Sequence, residues 1–149
     1  MVSVSVTATD EELVQLVRTW LDVLAAEDYE RVFDGLGYAL AFGAGAQRIR
    51  RDLNQYRSEA YYPGTSEFRV SDWRTAVGGN RSPVVLVRRY EYSEDLPIIA
   101  TIELDLLLNG KWSDLQAHFV VTKTHRHDSH GFLCLEDICY VQSKWADAT

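Results

Sequence analysis

Cysteine is almost missing from this chain: Cys134 and Cys139 are the two it has among 149 residues. They stand five apart in one expected strand, so a regular strand sends their side chains to opposite faces, and a disulfide between them needs a sharp bend. Reduced, buried thiols are the expectation, and they fit a reducing, cytoplasmic compartment. Long apolar runs are missing as well. No stretch approaches the roughly 20 apolar residues of a membrane span, and the opening MVSVSVTATDEE has neither the basic nor the apolar region of a secretory signal. No membrane association is expected. Positive charge is in deficit, with 15 Lys and Arg against 22 Asp and Glu, and the net charge of −7 repels phosphate backbones. A nucleic-acid partner is therefore not expected. Internal repeats, low-complexity segments and linkers are absent, and so are the P-loop, GxGxxG, HExxH and GxSxG patterns. Serine or cysteine nucleophile arrangements have no support, and no cofactor is expected.

What is present suits a single domain over residues 1–149. A chain of this length, 46% hydrophobic, needs no disulfide or metal staple, because it buries about 68–70% of its unfolded surface on folding. The charges are unevenly spread. Residues 10–34 hold Asp10, Glu11, Glu12, Asp22, Glu27, Asp28, Glu30 and Asp34 against Arg18 and Arg31, whereas residues 48–57 hold Arg48, Arg50, Arg51 and Arg57 against Asp52. These charges either solvate outer helix faces or, on the acidic side, meet a basic protein partner.

Thr9-Asp10-Glu11-Glu12 fits a capping box, and Leu13, Leu16, Val17, Trp20, Leu21 and Leu24 follow at helical spacing, which predicts a helix over about 10–26 with Trp20 as a core anchor. Asp28 is placed to cap a short second helix, with Gly35 and Gly37 as its stop, and the stripe Ala46, Ile49, Leu53, Tyr56 predicts a third at about 46–57. After Tyr61-Tyr62-Pro63-Gly64 the period changes to alternation, giving candidate strands 67–77, 84–92, 97–108, 111–124 and 132–142. Asn109-Gly110 calls for a two-residue hairpin, so that 108 faces 111, 106 faces 113, 104 faces 115, 102 faces 117 and 100 faces 119. One hairpin face then carries Ile102, Leu104, Leu106, Leu115, Ala117, Phe119 and Val121; the other carries Thr101, Glu103, Asp105, Asp114, Gln116 and His118. The apolar face must lie on the core, because a one-residue slip would bury the acids.

The fold class expected is α+β: N-terminal helices over about 10–57, packed on a curved antiparallel sheet over about 67–142. The stretch TWLDVLAAEDYERVFDGL resembles the nuclear transport factor 2-like superfamily, in which a helical hairpin covers a cone-shaped sheet. The stretch from Ile49 to Tyr56, the segment LNGKWSDLQAHFVV and the closing LEDICYV resemble a family of small uncharacterised bacterial domains within it. The resemblance spans most of the chain and implies the fold; it carries no activity, since cone folds host enzymes, binding proteins and bare scaffolds.

Four constellations are candidates for chemistry. His125, His127 and His130, with Asp128, gather possible metal donors in six residues, although the spacing matches no standard site and the segment reads as a hairpin loop. On the polar hairpin face, Glu103, Asp105 and His118 form a binding or acid–base candidate, and the register sets Asp105 against Asp114, Glu103 against Gln116 and Thr101 against His118; the ordinary reading is a solvated face, with Glu103 and Gln116 exposed. Asp137 shares strand parity with Leu133, Leu135, Cys139 and Val141, which in a regular strand points it into the core as a raised-pKa general base. Tyr38, Tyr61, Tyr62, Tyr90 or Tyr92 would then be its donor, a combination that the resemblance links to ketosteroid-isomerase-like members. A bulge near Glu136 would instead turn Asp137 out and Ile138 in. The helix-3 arginines either bind an anion or pair with the acids of helices 1 and 2. Trp112, beside Leu107 at the turn end of the polar face, is the expected anchor of a homodimer. The first reading of function is a non-catalytic binding or interaction module, in one form an immunity-like protein with an acidic face. The second is a small-molecule-binding or isomerase/hydratase-like enzyme using the apolar cone pocket.

Overall fold

In a computed structural model, the described residues are 2–28, 30–31, 51, 70–75, 85–108 and 111–140. They form β1 (Val2–Ser5), α1 (Asp10–Ala25), a 3-10 turn (Trp73–Thr75), β2 (Val85–Arg89), β3 (Ile98–Leu108), β4 (Lys111–Thr122) and β5 (His130–Tyr140). The strands make one antiparallel sheet in the order β1-β5-β4-β3-β2. The class is α+β, as the change of periodicity implies. No helix among the described residues is long and apolar enough to cross a membrane.

Helix α1 begins where the sequence demands. The Thr9 side chain accepts from the Glu12 N–H, the Glu12 carboxylate reaches back to the Thr9 N–H, and three acids occupy the first turn, where the helix dipole favours negative charge. The helix buries Leu13, Val17, Trp20, Leu21 and Leu24. These side chains join one cluster with Ile102, Leu104, Leu106, Ala117, Phe119, Val121, Leu133 and Leu135 from the sheet. Trp20 meets Phe119 edge to face, with ring centroids 5.0 Å apart. Asp28 Oδ1 accepts from the Arg31 N–H, the bond expected of a second cap, but the expected second and third helices otherwise lie outside the described residues, apart from helical backbone at Glu30, Arg31 and Arg51.

Two strand expectations need correction. Val2–Ser5 is a strand at the sheet edge that the sequence reading lacked. Within the expected strand 67–77, Val70 makes only an isolated bridge to Leu108, and Trp73–Thr75 is a 3-10 turn. Asp72 explains the break, since its carboxylate accepts from the Arg74 N–H and closes a local turn.

The β3–β4 register starts as the Asn-Gly signal requires, with Leu108 opposite Lys111 and Leu107 opposite Trp112; the turn residues themselves lie outside the described residues. Beyond it the register departs from expectation by two residues. Leu104 faces Ala117 instead of residue 115, Ile102 faces Phe119 instead of 117, and Ala100 faces Val121 instead of 119. The irregularity lies between Asp105 and Leu107, where the Ser113 hydroxyl donates to the Leu106 carbonyl (2.8 Å) and accepts from the Leu115 N–H (3.2 Å). A side chain there takes over bonds that the ladder would have made. A shift of two leaves every face unchanged, so the expected apolar face is still buried from Ile102 to Val121.

A second irregularity divides β4 and β5. His118 faces Asp137 but Phe119 faces Leu135, so Glu136 has no partner of its own. This bulge reverses parity along β5: Leu133 and Leu135 are buried before it, Ile138 after it.

Candidate ligand-binding site

The Glu136 bulge decides the place of Asp137. It lies opposite His118, on the sheet face away from α1, and is half-buried; the regular-strand route into the apolar core is thus closed to it. The polar hairpin face is also different from expectation. Asp105 faces Gln116, not Asp114; Glu103 faces His118, not Gln116; and Thr101 faces Val120. Asp105 and Gln116 are 1% and 2% exposed, so that part of the face is not solvated. Gln116 Nε2 donates to Asp105 Oδ1 at 2.8 Å, and Gln116 Oε1 lies 3.1 Å from His118 Nε2. The bulge at Leu106 replaces an expected acid–acid repulsion with a hydrogen-bonded chain. Glu103 stays partly exposed, 3.9 Å from Arg88. The Trp112 side chain is outside the described residues, as are Arg48, Arg50 and Arg57.

The histidine loop is organised by its aspartate. Asp128 Oδ2 accepts from the His125 N–H (2.9 Å), its own N–H donates to the His125 carbonyl (3.1 Å), and Ser129 Oγ lies 3.0 Å from His130 Nδ1. His125, His127 and His130 are exposed. No three His, Cys, Asp or Glu side chains are disposed to hold a metal among the described residues. Cys134 is a free, half-buried thiol whose pKa burial pushes up.

A cavity of about 240 Å³ opens between α1, the 3-10 turn and the β2–β3 edge. Val14, Val17, Leu21, Val85, Ile102 and Leu104 supply its apolar wall, and Arg18, Trp73 and Asp105 complete the described lining. The wall follows from two periodicities that meet: Val14, Val17, Leu21 recur at helical spacing, and Ile102 and Leu104 at strand spacing. Strand alternation sets Asp105 on the other face from Leu104, where its carboxylate is bound to Gln116.

At the rim, the Arg18 guanidinium lies 4.5 Å from the Trp73 ring centroid, and that of Arg74 lies 4.4 Å from it. Arg74 grips Asp22 with two bonds, of 2.7 and 3.0 Å, and reaches Asp72 at 3.0 Å. Arg74 holds the Asp22 carboxyl below its usual range, and the same bonds raise the Arg74 pKa. Asp22 stands one helical turn beyond Arg18 and is the natural partner for it. Arg74 has taken it, and Arg18 makes no ion pair among the described residues.

No protein-family model, curated protein or solved structure matches the chain.

The cavity is thus a hydrophobic pocket whose rim carries Arg18, a guanidinium with no ion pair among the described residues. The sequence reading missed Arg18 and Trp73 as site residues. A signal existed for Arg18, a charge flanked by Val14, Val17 and Leu21 on the same helix face. Trp73 had none, because it was expected in a strand.

Proposed function

We propose that this chain is a small-molecule-binding module with the cone-like, nuclear transport factor 2-like arrangement, and that the cavity beneath α1 is its ligand site. The observation that carries the reading is the cavity itself: about 240 Å³, walled by six aliphatic side chains. Apolar cavities of about 150 Å³ already bind benzene. A pocket with mostly apolar walls and few polar groups is the usual form of a small-ligand site. Binding is favoured over isomerase-type chemistry because Asp137 sits on the opposite sheet face and the Asp105 carboxylate is engaged by Gln116. It is favoured over an acidic docking face because several acids of α1 are already used within the chain. Asp22 is held by Arg74, Asp10 by Arg89 at 2.6 Å, and Glu12 by the capping box.

1-Octanol is a neutral probe of suitable size. Calorimetric titration is expected to give saturable binding with a Kd on the order of 0.1–1 mM or tighter. Val14→Trp, which fills the cavity from the helix side, should abolish the heat while leaving the unfolding midpoint within a few degrees. Absence of saturation up to the solubility limit of octanol rejects the reading.

A further inference from the structure

We infer that the natural ligand of this cavity is an apolar monocarboxylate, with its tail among Val17, Leu21 and Leu104 and its carboxylate on Arg18. The inference rests on the binding reading above and adds the chemistry of the ligand head. Arg18 lines the cavity, is half-buried, and stacks on Trp73. Contact with the indole face holds the guanidinium beside the cavity but uses none of its N–H donors. The edge is thereby left to a planar acceptor, and a carboxylate matches that fork with two parallel bonds.

The charges around the rim select the valence. Arg74 is neutralised by Asp22 and Asp72, so its cation is not available to share a second negative charge. Among the described residues of the rim, Arg18 is the positive group without an ion pair, and a dianion such as a phosphate monoester would bring its second charge toward the Asp22 and Asp72 carboxylates. The six described aliphatic side chains of the wall disfavour a polar tail, because they offer a buried hydroxyl or amide no partner. A medium-chain or aryl-alkyl monocarboxylate satisfies both ends.

Octanoate, octanol and octyl phosphate share one tail and differ in the head, which makes them the test set for the full chain in calorimetric titration. Octanoate is expected to bind about tenfold tighter than octanol, the scale of one charge-assisted contact, and octyl phosphate more weakly than octanoate. Arg18→Gln should bring octanoate to the affinity of octanol or below. Arg18→Lys, which keeps the charge without the fork, should retain only part of the preference. Octanoate no tighter than octanol, or an octanoate affinity unchanged in Arg18→Gln, overturns the carboxylate assignment while the octanol binding still stands. Loss of binding for all three probes to the unaltered chain overturns the binding reading instead.

Discussion

Trp20 illustrates how one residue combines gain and cost. Its ring is 5% exposed and meets Phe119 in a T-shaped contact, yet its indole N–H is buried with no hydrogen-bond partner among the described residues. Removing the whole side chain loses burial and opens a cavity, so Trp20→Ala is expected to cost about 3–5 kcal/mol. Trp20→Phe removes the orphaned donor and keeps an aromatic edge, so its cost should be well below that of alanine. Urea midpoints of the two variants check the order, and equal losses would contradict it. The apolar stripe that locates Trp20 was legible because helical spacing alone places it in the core. The pairing of Asp105 with Gln116 was not legible. It depends on the Ser113 hydroxyl substituting for ladder bonds, and a serine in a strand looks the same in sequence whether it does so or not. Asp137 was legible as a pair of alternatives, and the unpaired Glu136 chose between them.

Helix α1 is held at both ends by groups remote from its apolar stripe. At its start, Thr9→Ala removes the acceptor for the Glu12 N–H at 3.2 Å and should cost about 1 kcal/mol, seen as a lower midpoint with an unchanged denaturant slope. At its far end the Asp22–Arg74 pair ties the helix to the 3-10 turn. The folded-state pKa of Asp22 is depressed by Arg74, so the contribution is present above the unfolded value of about 3.9 and is lost as pH falls through the lower folded value. Both side chains are more than a third exposed, 49% for Arg74 and 40% for Asp22, so solvent screens the pair and keeps the effect small. The stability gap between the parent and Asp22→Asn should therefore be present at pH 7 and shrink as pH falls below about 4. A gap that grows with acid would reverse the sign of this linkage. The helix itself was legible to within one residue at its end. The pairing of Asp22 and Asp10 was not, because Arg74 and Arg89 come from segments far along the chain.

At the scale of the molecule, the alternation and the Asn-Gly signal gave the central hairpin, while the edge strand β1 escaped notice because four residues carry too little periodicity to separate from a random tail. That edge couples the first described strand to the last. Val2 pairs with Leu133 and Ser5 with His130, and Gly131 is packed so closely on the Thr122 carbonyl that a Cβ there would collide with it. The same arrangement has a meaning in time. A ribosome delivers Ser5 long before His130, and at about 5–20 residues per second the interval is roughly 6–25 s. Over that interval β1 has no neighbour to pair with, and the stripe of α1 has no Phe119 to cover it. Among the described residues, the apolar stripe of α1 therefore waits for its sheet partners, and closure of the sheet comes late, among contacts of high sequence separation.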